Sequence, residues 1–267
     1  ESQRSWRRQA AENVIQRLEK SGLLAPKGEV DKVLDTVVNN LMVTNQMDLD
    51  VECRVLLTTP LETFSLGRTI VISRGLLDVL PDEASLAVVL SDELAHIVLG
   101  HRTDTRYAFS DQTMFAERET LNRLRFSRTP QEIEAANKKA IEVLANSPYK
   151  ERLSNAGLFL KTLASRGPQL PNLIQGNLGN RLASGSNLVR LAELAAQAPA
   201  LDETKLEQIA ALPLGSRVRL NPWTNQITLI KTQPIALLSP WEKMPFEVTP
   251  FVIHLTRLVK ATADGRK

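Results

Sequence analysis

Apolar positions recur at helical spacing from the start of the chain. Over residues 5–20, Trp6, Ala10, Val14, Ile15 and Leu18 share one face while Arg and Glu take the other. Gly22 ends that segment. The same spacing over 29–47 sets Val30, Val33, Leu34, Val37, Val38, Leu41 and Met42 along a second helix. The pattern then shortens to two β-type runs, 51–58 and 63–73, separated by Thr59-Pro60-Leu61, and Gly67-Arg68 offers a turn or bulge inside the second. Pro81-Asp82-Glu83 is first-turn chemistry, and residues 84–101 read as one mostly apolar helix closed near Gly100. A helix so apolar belongs inside the domain.

Further along, residues 103–125 read as an exposed helix, and Thr129-Pro130 opens another that reaches Ala145. Two more helical stretches, 150–165 and 186–197, are joined by the Gly-, Pro- and Asn-rich segment 167–185, which is predicted as a long loop or lid. In the last quarter, 216–220 and 226–232 flank Asn221-Pro222-Trp223-Thr224-Asn225 as a hairpin, and Pro234, Pro240, Pro245 and Pro250 punctuate short strands up to Leu258. The order of elements predicts an α+β chain: a mainly helical domain over 1–200 with a small sheet, then a small β-rich appendage over 201–267.

Composition narrows the class. With 43% apolar and 24% charged residues over 267 positions, intrinsic disorder and collagen-like repeats are excluded, and a single cysteine, Cys53, excludes a disulfide-stapled miniprotein. The net charge of +3 comes from 33 basic and 30 acidic residues spread along the chain, so the small Arg4, Arg7, Arg8 cluster is no nucleic-acid footprint. No apolar run approaches the roughly 18–20 residues that a membrane span needs. Because the sequence begins at Glu1, removal of an upstream signal peptide or lipid anchor is expected.

The chemistry concentrates in residues 91–101, Ser-Asp-Glu-Leu-Ala-His-Ile-Val-Leu-Gly-His. Positions i and i+4 of a helix share a face, so Asp92 and His96 lie one turn apart with Glu93 beside them. In the zinc-peptidase helix, two His at this spacing hold the metal and the Glu after the first polarises the attacking water. Here the first of those positions is Asp92. Together with Leu66–Leu77 and its Gly75-Leu76-Leu77 turn, the approach 83–90, Gly100-His101 and Phe126-Ser127-Arg128, this stretch resembles the HtpX-like and CAAX-prenyl-endopeptidase family of zinc metallopeptidases, which are gluzincins. The resemblance implies a zincin-like metallopeptidase domain with a small sheet beside the metal helix. It further implies zinc held by Asp92, His96 and Glu132, with Glu134 open as an alternative third ligand, and Glu93 as general base. The strand around 63–72 would align a peptide or unfolded-protein substrate. Exported, periplasmic or membrane-associated location and membrane-associated partners follow from the same resemblance.

The sequence also departs from that family. Asp92 replaces its first His, Ala136 stands where it has Asp, and Glu62-Thr63-Phe64 stands where Asn-Ala-Phe is usual. One extra residue separates Arg128 from Glu132, and no His lies between 102 and 253 to serve as the later His-Pro motif. An Asp, His, Glu set neutralises Zn²⁺, so a bound water is acidified less and turnover falls. An alternative is therefore a catalytically inactive homologue that binds peptide or protein partners through its cleft and edge strand, and another is a structural role in an assembly. Asp92 also fits a metal-free polar core in which it accepts hydrogen bonds from His96 or a basic residue such as Arg128. His101 reads as a helix C-cap, His254 as structural, and Cys53 as core.

Overall fold

Helix α1 (Ser2–Lys20) buries Ala10, Val14, Ile15 and Leu18, four of the positions its spacing singles out, and Gly22 ends it with φ of 71°. Trp6 is different: it stays 55% exposed and stacks with Phe109, ring centroids 5.2 Å apart. The computed structural model describes residues 2–104, 108–109, 121–202, 205, 208 and 214–230. Helix α2 (Glu29–Thr44) starts at Gly28, whose amide donates to the Asp31 carboxylate at 2.7 Å, the half of a capping box that a residue without a side chain can make. It stops short of the expected Met47, because Gln46 turns to φ of 54°.

The sheet sits between these helices. Strands β1 (Glu52–Leu56), β2 (Glu62–Leu66), β3 (Thr69–Ser73) and β4 (Asn180–Arg181) are ordered β1-β3-β2-β4, with β1 parallel to β3 and the other pairs antiparallel. The single run expected over 63–73 is thus a hairpin, and Gly67, at φ of 58°, supplies the left-handed residue of its turn. Side chains alternate across the sheet: Leu56, Phe64, Leu66 and Val71 face α1, whereas Cys53, Val55, Ile70 and Ile72 join the core shared with α2 and α4. Both faces are covered, which is why nearly every strand residue is buried.

Helix α3 (Arg74–Val79) leads into α4 (Glu83–Val98), whose N-cap Asp82 accepts from the Ser85 amide at 2.8 Å. Residues 84–96 of α4 are all buried, as the apolar composition requires. Helices α5 (Pro130–Ala145) and α6 (Leu153–Arg166) pack against it, followed by α7 (Pro171–Ile174). The fold is α+β and mainly helical. No helix among the described residues is long and apolar enough to cross a membrane.

Two expectations change. The helix over 186–197 is only α8 (Ala192–Gln197), because Asn187–Leu188 forms β6 against β5 (Ala183–Ser184), and Gly185 at φ of 59° turns the chain between them. The 167–185 segment is not a free loop: Ile174, Leu178, Leu182 and Ala183 are buried, and β4 joins the sheet. The expected hairpin is present as β7 (Val218–Leu220) and β8 (Ile227–Leu229), with Ile227 buried beside α2 and the Leu214 amide bonded to the Leu80 carbonyl at 2.8 Å. Most of the 103–125 helix, the strands expected after 230 and His254 lie outside the described residues.

Candidate functional site

Helix α4 places Asp92, Glu93 and His96 together, and all three have no solvent exposure. Ionised carboxylates at that depth need cationic or hydrogen-bonding partners. The cation is Arg190, itself fully buried, from the turn between β6 and α8. Its Nε donates to Asp92 Oδ2 at 2.6 Å, and its Nη2 contacts the same oxygen. Nη2 also donates to Glu93 Oε1 at 2.9 Å, and Nη1 to Thr63 Oγ1 at 2.7 Å. The planar fork thus spans both carboxylates and the hydroxyl of β2, a task for which a lysine lacks the geometry. Thr63 in turn donates to Glu93 Oε1 at 2.7 Å, and Asn180 Nδ2 approaches that oxygen at 3.4 Å.

The two carboxylates are not equivalent. Burial pushes both up, but for Glu93 the charges of Arg190, His96 and Arg128 and the Thr63 hydrogen bond outweigh burial, holding it below the usual range. Asp92 ends above its usual range, because Arg190 does not fully offset burial and Glu93 adds like-charge repulsion. Burial takes His96 down to about 4, so the ring is neutral at pH 7. Its Nδ1 lies 2.8 Å from His101 Nδ1, which makes His101 a side-chain partner of the helix end. Arg128 donates through Nη2 to the Ser65 carbonyl at 3.2 Å and to Ser65 Oγ at 3.0 Å, and not to Asp92. Arg128, buried nearby, adds a second guanidinium whose charge is felt by Glu93, Glu132 and Asp92.

The β2 edge beside this cluster is covered by the chain itself. Thr63 pairs with Asn180 and Glu62 with Arg181. The buried Glu62 carboxylate accepts from the amides of Leu178 and Gly179 at 2.8 and 2.9 Å, and the Phe126 amide donates to the Leu178 carbonyl at 2.6 Å. Beyond the β4 pairing, the Ser65 carbonyl accepts from Thr103 Oγ1 at 2.8 Å as well as from Arg128. Gly179 lies so close that a Cβ there would sit 2.4 Å from the Thr63 carbonyl oxygen.

Of the residues expected to hold zinc, Asp92 and His96 share a face of α4, as their spacing requires. Glu132 does not join them: its Oε2 accepts from Thr129 N and Thr129 Oγ1, each at 3.0 Å, as half of a capping box at the start of α5. Glu134 is exposed and bonds Lys138 at 2.7 Å. Cys53 is buried, as expected, with its thiol pushed up by burial. Sequence reasoning missed Arg190 and Asn180. The available signal was Arg190 between Val189 and Leu191, a lone cation in an apolar setting.

Residues 27–147 match the family model of peptidase family M48. No curated protein matches the chain. Asp92, Glu93, His96 and Glu132 lie within the matched stretch, whereas Asn180 and Arg190 lie beyond it. Members of that family are typically metal-dependent, and the side chains here do not fit a zinc ion. Among the described residues no three His, Cys, Asp or Glu groups are arranged to hold a metal. Asp92 Oδ1, Glu93 Oε2 and His96 Nε2 are buried without a hydrogen-bond partner, yet a dication beside them would face Arg190 at contact distance from both carboxylates. The two carboxylates would then face three buried positive charges, one from Arg190 and two from the ion.

Proposed function

We propose that the chain carries a peptidase family M48-like domain that works without a metal ion and without peptide-bond hydrolysis, as a protein-binding domain. The observation that supports this reading is the Arg190 guanidinium on Asp92 and Glu93, with all three residues fully buried. A general base needs a free lone pair of suitable basicity aimed at a reacting proton. Glu93 Oε1 accepts from Arg190 and Thr63, its unpartnered Oε2 is buried away from solvent, and the basicity of the carboxylate is lowered. The finer kinship to the HtpX-like and CAAX-prenyl-endopeptidase group, and an exported setting among membrane-associated partners, belong to the same proposal. They rest on the motif resemblance.

The test is metal analysis of full-length protein purified without chelator, beside Asp92→Ala, with digestion of an unstructured protein using Glu93→Gln as control. The expected result is zinc far below one equivalent in both proteins and no cleavage above the Glu93→Gln background. Stoichiometric zinc that is lost in Asp92→Ala, with cleavage that is lost in Glu93→Gln, would overturn the proposal. It would restore a zinc endopeptidase with Asp92, His96 and Glu132 as ligands.

A further inference from the structure

We infer that residues 176–190 form a built-in strap that competes with extended peptide for the β2 edge, and that Arg190 is its lock. This rests on the metal-free reading above and adds the regulation of the same cleft. An extended peptide binds a sheet by adding a strand to an open edge. Here the strand already added is the chain's own β4, on the side of β2 opposite β3. The strap is fastened at three separate places. Glu62 holds the amides of Leu178 and Gly179, the Phe126 amide holds the Leu178 carbonyl, and Asn180 Oδ1 accepts from the Arg128 amide at 2.8 Å.

The fourth fastening differs in kind. Arg190 reaches from the end of the strap into a pocket formed by Thr63, Asp92 and Glu93, which meets the guanidinium with acceptors at 2.6–2.9 Å. That pocket is a guanidinium-binding site filled from within the same chain. Thr63 links the two functions, since its backbone pairs with β4 while its hydroxyl takes Arg190 and bonds Glu93. Loss of the guanidinium therefore loosens the strand pairing as well as the charge cluster. The ligand class admitted on release is an extended peptide segment read by its backbone.

Two variants separate the lock from the strap. Arg190→Ala empties the guanidinium pocket. Gly179→Ala leaves every charge in place but drives a Cβ against the Thr63 carbonyl and Phe64 Cδ1, at 2.4 and 2.7 Å. Hydrogen–deuterium exchange of the full chain is read at residues 62–66, and binding of reduced, carboxymethylated α-lactalbumin is read by fluorescence anisotropy. In both variants the 62–66 amides should exchange about tenfold faster or more beyond any acceleration shared with α2 and α4, and the unfolded probe should bind where wild type does not. Millimolar ethylguanidinium should reverse both effects in Arg190→Ala and neither in Gly179→Ala. Unchanged exchange at 62–66 in the folded variants would overturn the inference, as would acceleration there no greater than over α2 and α4. Zinc is measured in the same wild-type sample. Stoichiometric zinc there would sink the metal-free reading while leaving the strap result to stand on exchange alone.

Discussion

Replacing Arg190 by Met keeps most of the side-chain volume and removes the guanidinium. Asp92 then loses both contacts to its Oδ2, and its Oδ1 already has no partner. Glu93 loses one of three donors and keeps Thr63 and Asn180. Taken singly, charge-assisted hydrogen bonds of about 1.5–3 kcal/mol each would sum over the three contacts to about 5–9 kcal/mol, comparable with the whole stability of many proteins. The total is limited because Asp92, already pushed upward in pKa, takes up a proton once its counter-ion is gone. Breaking a buried pair from one side costs about 3–5 kcal/mol, and we expect Arg190→Met to fall in that range at pH 7. For a chain of this size that lowers the melting temperature by roughly 6–20 °C. The assay is urea unfolding followed by circular dichroism, with the double variant Arg190→Met/Asp92→Leu as the decisive comparison. Removing one buried charge with its partner should recover a large part of the loss. A single variant within about 0.5 kcal/mol of wild type, or a double variant no better than the single, would refute the buried-pair reasoning.

The remaining predictions concern titration, metal and packing. His96 is held down to about 4 from 6.5, so between these values the unfolded chain binds a proton that the folded one does not. Stability is full above about 6.5 and falls as pH drops through 4, by at most about 3 kcal/mol from this group, and His96→Gln should flatten that part of a urea-midpoint profile between pH 7 and 4.5. Asp92→His alone should bring no zinc, measured by titration calorimetry, because Arg190 remains and has lost a counter-ion; tight zinc binding would show that Arg190 yields readily. Gly75→Ala would put a Cβ 1.8 Å from the Thr59 carbonyl oxygen, so we expect little folded protein by size-exclusion chromatography; a well-folded variant would show that the approach of α3 to Thr59 relaxes easily. Cys53, buried and with its thiol pushed up, should resist Ellman's reagent in native buffer and react fully in urea.

What the sequence determined by itself was local. Helical spacing identified α1, α2, α4 and α5, Gly67-Arg68 marked the turn between β2 and β3, and the i, i+4 rule put Asp92 and His96 on one face. Each of these is fixed by residues within a turn or a hairpin of one another. Even the place of Glu132 was written locally, since Thr129-Pro130-Gln131-Glu132 is a capping-box pattern that competes with a ligand role. Tertiary structure alone decided which cation neutralises the α4 carboxylates. The sequence offered Arg128 as a candidate, but packing gave Arg128 to Ser65 and brought the unforeseen Arg190 to Asp92 and Glu93 across 98 and 97 positions of chain. It also turned a Gly-, Pro- and Asn-rich segment into the strand that closes β2. The physical reason is common to both: a buried charge and an open strand edge each demand a partner, and any distant residue that the fold brings near can supply it.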